Sequence, residues 1–273
     1  MKKLFSFLSV CLLACTMSAQ DYNTLINEAM ACIRKDSLER AEYLYKEALK
    51  LDPSGARNAL LFSNLGTVQQ RQGKIEEAIE SYTMALNMIP YSTTILLNRA
   101  ALYLEQGNQN KAYVDYCSVI DLLPENAEAR LYRAFIYMQR RQYKEARIDY
   151  NTILTKNPEH AEALLGLAYL NQKERQYKEA MTLLDRLVKA HPEEPAYLKA
   201  RVNLSIEMGN MDLALLDVEM LERKGKDDGE SWLLKGDILL QQKKKKKALE
   251  AYRKALEKGI SPIEVQDKIK ACR

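Results

Sequence analysis

Histidine is scarce in this chain: only His160 and His191 occur among 273 residues, beside a single tryptophan, Trp232. A nucleophilic hydrolase needs a base next to its nucleophile, and neither histidine has a partner set by spacing. His160 is read instead as a helix cap, in the place that Asn126 holds 34 residues earlier. The 10 glycines are scattered, so no phosphate-cradling loop is legible, and Ala161-Glu162-Ala163-Leu164 after His160 is no zinc-binding helix motif. Asp227-Asp228-Gly229-Glu230 lacks the alternating oxygen ligands of a calcium loop. Of 5 cysteines, Cys11 and Cys15 lie near the start, and Cys32, Cys117 and Cys272 are too dispersed for a disulfide framework or a zinc site. They read as small hydrophobes. A formal net charge of +4 excludes the basic excess of a nucleic-acid binder. Catalytic residues, cofactors, metals and an integral membrane span are therefore not expected.

The first residues are different in kind. Lys2 and Lys3 precede an apolar run from Leu4 to Ala14, and Thr16-Met17-Ser18-Ala19 follows. The run is too short to cross a bilayer and fits a secretory signal peptide at 1–19, cut after Ala19. Met17-Ser18-Ala19 before Gln20 resembles the export signals of Bacteroidetes-type bacteria, which implies a periplasmic or secreted protein. Leu12-Leu13-Ala14-Cys15 also resembles a lipobox; on that alternative Cys15 carries a lipid anchor and the protein is an envelope lipoprotein. Without Lys2 and Lys3 the formal charge is +2, close to balance.

What the remainder has in abundance is self-similarity. Arg141-Gln142-Tyr143-Lys144-Glu145-Ala146 returns unchanged as Arg175-Gln176-Tyr177-Lys178-Glu179-Ala180, 34 residues later. Its closing alanine recurs as Ala41, Ala78, Ala112, Ala146, Ala180, Ala214 and Ala248, at a step of 37 and then five steps of 34. Pro53, Pro90, Pro124, Pro158 and Pro192 follow the first five alanines by 12 residues. Apolar spacing inside a unit is helical, as in Leu164, Leu165, Leu167 and Ala168, then Met181, Leu184, Leu187 and Val188. Two helices with a turn between them fit each period; Gly73, Gly107 and Gly209 mark that turn, the prolines end the second helix, and Ser92, Asn126 and Asp228 are candidate caps for the next.

Phe62, Leu65, Gly66, Ala78, Tyr82, Ala85 and Pro90, with Trp232, Gly236, Ala248, Tyr252 and Ala255 in the last unit, resemble the pattern of the tetratricopeptide repeat. The resemblance covers units at 22–55, 59–92, 93–126, 127–160, 161–194, 195–228 and 229–262, with the extra residues of 54–58 and the proline-free segment 224–229 as candidate soft points for which a longer surface turn without hinge function is the preferred reading. It implies an all-α fold, a right-handed α-solenoid superhelix of helix-turn-helix hairpins. Gly66, Ala100, Ala134, Ala168 and Gly236 would let paired helices approach, while Tyr82, Tyr116, Tyr150 and Tyr252 fill the wider gap between neighbours. Ser261-Pro262-Ile263-Glu264 reads as a capping box that opens a C-terminal capping helix at 263–273, with Val265, Ile269 and Cys272 on its buried stripe. The helix from Tyr22 would cap the other end.

In this family the first helix of each hairpin lines a concave groove that holds a peptide or a partner's helix. The resemblance therefore implies a protein-binding scaffold, and the groove places include Asn64, Asn98, Leu131, Tyr132, Phe135, Tyr169, Lys199 and Asn203. Phe135 and Tyr169 are the expected apolar anchors, with the asparagines bonding a peptide backbone. Ile26, Met30 and Leu131 stand where chaperone-tail adaptors of the family need polar or basic groups, so that subclass does not fit. The alternative is a periplasmic carrier for a small molecule or glycan, stacked on Tyr103, Tyr132, Tyr137 and Tyr169. Lys243 to Lys247 is a five-lysine run that could touch anionic lipid or acidic glycan; solubility and helix-end compensation is the preferred reading. The packing scheme makes Ala180→Leu an overpacking change costing about 1–3 kcal/mol. A melting temperature below the parent's is the expected outcome, and an unchanged one refutes the assignment.

Overall fold

Helical periodicity is answered, among the described residues, by helices alone. The computed structural model describes residues 21–272, so the expected signal peptide and Cys15 lie outside the described residues. Within them the helices are α1 (21–34), α2 (Leu38–Leu51), α3 (Asn58–Arg71), α4 (Ile75–Met88), α5 (Thr93–Glu105), α6 (Gln109–Leu122), α7 (Ala127–Gln139), α8 (Tyr143–Lys156), α9 (Ala161–Lys173), α10 (Tyr177–Ala190), α11 (Pro195–Glu207), α12 (Met211–Arg223), α13 (Gly229–Gln241), α14 (Lys245–Glu257) and α15 (Pro262–Ala271).

Their ends follow from local chemistry. α2, α4, α6, α8 and α10 stop at the residue before a proline, whose ring crowds that residue out of the helical region. Asp52, Ile89, Leu123, Asn157 and His191 accordingly sit at φ from −142° to −129° with ψ of 65–90°. α12 and α14 lack the proline and end instead on left-handed Gly225 (φ +63°) and Gly259 (φ +96°). The next amide then bonds back into the helix, Lys226 N to Leu221 O and Ile260 N to Ala255 O, each 3.0 Å. The turn inside each hairpin is left-handed too, at Asp36, Gly73, Gly107, Arg141, Arg175, Gly209 and Lys243. Sequence reading found the three glycines there. The four charged residues adopt the same conformation because the packing of their flanking helices overrides local preference.

Asn126, His160 and Asp228 cap the following helices through the amides of Ala129 (2.8 Å), Ala163 (3.4 Å) and Ser231 (2.9 Å). Ser92 and Ser261 occupy cap positions without a side-chain bond, so the expected capping box reduces to Pro262 in the first turn and a backbone bond from Glu264 N to Ser261 O. Nor is the lysine run simple helix-end compensation. Lys245, Lys246 and Lys247 open α14, at the positive end of its dipole.

The described residues form two compact units, 21–136 and 137–272, each taken by itself. In both, successive helices pack on one another in chain order. A Cβ on Gly66 would lie 2.9 Å from the Tyr82 ring, and one on Gly236 2.3 Å from that of Tyr252, so each ring rests on its own hairpin's glycine. This corrects the assignment of those rings to the gap between hairpins alone. Tyr82 also reaches Asn98 of the next hairpin, and Tyr150 lies over Gly166 of the next. In the second unit α15 buries Val265 and Cys272 with Trp232, Leu239 and Tyr252.

Ion pairs to buried carboxylates join the hairpins. Arg99 on α5 donates to Asp115 of α6 through two bonds of 2.8 Å and to Thr83 of α4 at 3.0 Å. Arg201 on α11 repeats the arrangement, at 2.8 and 2.6 Å to Asp217 of α12 and 2.7 Å to Asp185 of α10. Asp115 and Asp217 are buried, and hydrogen bonding to Asp217 raises the Arg201 pKa further against the pull of burial. Each guanidinium fork thus clips a first helix to the second helices on both sides. In the first unit, burial alone would raise the carboxyl of Glu42, but hydrogen bonds from Lys46, Lys74 and Gln69 outweigh it and bring the pKa to about 2.

The two irregular joints are tied down as well. Asn58 is buried and bonds to Asp52 O (2.6 Å) and to the Tyr22 hydroxyl (3.0 Å). Asp227 receives the Trp232 indole N–H and the Lys258 ammonium, both at 2.7 Å.

Arg201→Ala strands the Asp217 carboxylate and should cost about 3–5 kcal/mol, whereas Arg201→Met with Asp217→Leu should recover most of it; thermal melting distinguishes the two. Because the folded Glu42 pKa lies below its ordinary value of 4.5, its contribution is present above that pH and lost as pH falls toward about 2. Glu42→Gln should therefore be less stable than the parent at neutral pH and show a flatter acid limb across that window in pH-dependent melting.

Candidate functional site

On the first helices of the first unit, Met30, Thr67, Ala101 and Phe135 follow one another at repeat spacing, as Tyr169, Asn203 and Asp237 do in the second. This column leaves large apolar groups uncovered. Met30 and Phe135 are each 45% exposed and Tyr169 41%, while the second-helix tyrosines Tyr45, Tyr82 and Tyr116 are buried.

In the first unit the predicted asparagines turn out to be shared with the packing. Asn64 hydrogen-bonds to Tyr45 and Asn98 to Tyr82, and burial raises both phenol pKa values in spite of those bonds. Tyr132 rests one face on Tyr116, with centroids 5.5 Å apart and planes at 14°, and leaves the rest of its ring to solvent. The Tyr116 hydroxyl is buried without a hydrogen-bond partner, and burial followed by the nearby Tyr132 pushes its pKa up. Leu131 is half-buried beside it. Asn64 also edges a cavity of about 260 Å³ lined by Met30, Ile33, Tyr45, Val68 and Arg71. Sequence reading missed this cavity because α1 was taken as a cap. Stepping back 37 residues from Thr67 puts Met30 in line with Phe135 and was the available signal.

In the second unit Lys199 is not a free donor. Its ammonium lies 2.6 Å from Asp228 and 3.0 Å from Glu230, and these bonds raise its pKa although burial opposes them. Burial would raise Asp228 in turn, but the bonds from Lys199 and Ser231 bring it to about 2. Burial, with Glu230 adding to it, raises the Tyr169 hydroxyl. Asn203 is exposed. The eight predicted residues thus divide into five in the first unit and three in the second.

Of the rings proposed for glycan stacking, Tyr103 is unsuitable. It is buried, with the Arg99 guanidinium 5.7 Å and the Lys111 ammonium 5.3 Å from its centroid. Cys32, Cys117 and Cys272 are free thiols, and Cys117 and Cys32 are only half-buried. Among the described residues no group of three His, Cys, Asp or Glu could hold a metal, and no helix is long and apolar enough to cross a membrane.

Family profiles described as tetratricopeptide repeat match residues 128–160, 149–204 and 199–262. A tetratricopeptide repeat protein of Parabacteroides merdae is 33% identical, with the match covering 93% of this chain and 99% of that one at a TM-score of 0.76. PilF of Pseudomonas aeruginosa (22% identity, 76% of this chain and 92% of that one, TM-score 0.58) shares the fold. So does YrrB, a tetratricopeptide protein with an unusual peptide-binding site (21% identity, 65% and 90%, TM-score 0.58). No curated protein matches the sequence. With a third of its residues shared with the P. merdae protein over nearly all of both chains, this chain belongs to the tetratricopeptide repeat family.

Proposed function

We propose that the protein is a non-catalytic scaffold of the bacterial envelope that holds a peptide or helix of a partner protein on the first helices of its hairpins. Tetratricopeptide proteins are in general scaffolds for protein contact, and that much follows from the family. The finer reading is carried by one observation, the half-exposed rings of Tyr132 and Phe135 in the first unit and Tyr169 in the second. Aromatic side chains give a partner large buried area for little lost entropy. The peptide site of YrrB supports this mode on a shared fold. Export rests on Lys2, Lys3, the apolar run to Ala14 and the small residues up to Ala19. The carrier alternative is weaker, because Tyr103, one of the rings it needs for stacking, is buried.

Crosslinking and capture with the full chain in its own cells tests the reading. Phe135→Ala with Tyr169→Ala should lower partner recovery by about tenfold or more while leaving the melting curve in place. Equal recovery by parent and variant removes these rings from the binding face.

A further inference from the structure

The doubled hexapeptide and the lysine run are used by neither the packing core nor the exposed rings, yet they share a place in the second unit. Hydrogen bonds step from one hairpin turn to the next along that unit. Arg147 donates to Glu174 (2.6 Å) and Gln176 (3.1 Å), Tyr177 to Glu207 (3.0 Å), and Gln242 to Asp212 (3.0 Å). The turns at 140–142, 174–176, 208–210 and 242–244 therefore form one edge. Arg141, Lys144, Arg175, Lys178 and the lysines 243–247 stand exposed along it, and none forms a salt bridge among the described residues. Glu174 on the same edge is neutralised by Arg147, whereas Glu207 and Asp212 accept from neutral groups and keep their charge, so Glu145, Glu179, Glu207 and Asp212 stand against those nine cations. The opposite turns are different. There Glu159 pairs with Arg186, Glu193 with Lys224, Asp228 with Lys199 and Asp227 with Lys258.

Two local rules are broken to put cations there. The left-handed positions at the tips of these turns are Arg141 (φ +58°), Arg175 (φ +61°) and Lys243 (φ +62°), where Gly209 shows that glycine serves without strain. Lys245, Lys246 and Lys247 fill the first turn of α14, which has no acid to meet its positive dipole end. Departures from local consistency without a structural gain mark functional surface. Lys244 and Lys247 also edge a cavity shared with Glu219, Glu222 and Glu250, so Lys243, Lys245 and Lys246 carry the freest charge.

We propose that this edge of the second unit docks peripherally on an anionic phospholipid surface. The cations stand exposed on successive turns along one edge, which suits a broad charged plane more than a single carboxylate. The run is lysine throughout. Its hydrated point charges act at a distance and lack the bidentate fork that picks out one acidic side chain.

Flotation of the full chain with vesicles of phosphatidylglycerol and phosphatidylcholine, compared with phosphatidylcholine alone, tests this. Lys2 and Lys3 beside the apolar residues 4–14 add their own preference for anionic vesicles, so the proposal is read from the part of the excess that the Gln variants remove. An excess on the anionic vesicles is expected, abolished by high salt. Replacing lysines 243–247 with Gln should cut that excess by about tenfold or more, and Gln at Arg141, Lys144, Arg175 and Lys178 should cut it in part, with melting curves unchanged. Equal binding to both vesicles, or an excess that survives the Gln variants, overturns the proposal. So does an absence of vesicle binding together with salt-sensitive binding of polyglutamate or polyphosphate, which would assign the edge to a soluble polyanion.

Discussion

Two helices can lie close only where one of them keeps its side chain to a methyl group or less, as at Gly66, Ala100, Ala134, Ala168 and Gly236, and the rest of this chain is arranged around that contact. Gly66 under Tyr82 and Gly236 under Tyr252 bring the two helices of a hairpin together over an aromatic ring with no room for even one methyl group. The ring is long enough to pass beyond its glycine, so Tyr82 reaches Asn98 of the next hairpin. A single side chain therefore sets both the closeness within a hairpin and the spacing to its neighbour. This is why the large and small positions must recur together and why their register survives although few identities do.

The same geometry explains the ion clips. Arg99 meets Asp115 and Thr83, and Arg201 meets Asp217 and Asp185, all at a separation of 16 residues forward or back. Sixteen residues carry the chain from one helix, round a turn, to the facing level of the next, so a residue midway along a first helix has equal reach to both flanking second helices. An arginine fork uses both directions at once, whereas Leu65 and Leu167 fill the matching place in other hairpins. Burying the pair costs desolvation that apolar packing would not incur, so its contribution is to fix which helices face each other more than to add stability.

Much of the architecture was legible because it depends on residue size at fixed spacing. The period, the helix pairs, the turns at Gly73, Gly107 and Gly209, and the caps at Asn126, His160 and Asp228 could all be read from positions alone. Less legible were features in which a residue acts against its own preference. Nothing in Arg141 or Lys243 announces a left-handed backbone, and nothing in Arg99 announces a half-buried side chain, because each is imposed by the helices on either side. The binding face was partly legible for a related reason. Spacing assigns a residue to a column, but only three-dimensional neighbours decide whether it is free, so Lys199 proved neutralised by Asp228 and Glu230 while Phe135 stayed open.

The doubled hexapeptide shows how such a chain divides its work. Ala146 and Ala180 are fully buried and Tyr143 and Tyr177 are half-buried, so the aromatic and small places serve the contact between helices. The arginines and lysines between them have no packing role and are exposed. Core positions constrain a repeat at one face only, which leaves the turn tips free to acquire charge without disturbing the stack. Gly209 marks what a tip looks like when backbone preference alone decides, and Arg141, Arg175 and Lys243 mark tips where charge has been kept at the expense of that preference. Repetition then multiplies a small local choice into a continuous surface, because each further hairpin presents its tip on the same edge of the unit.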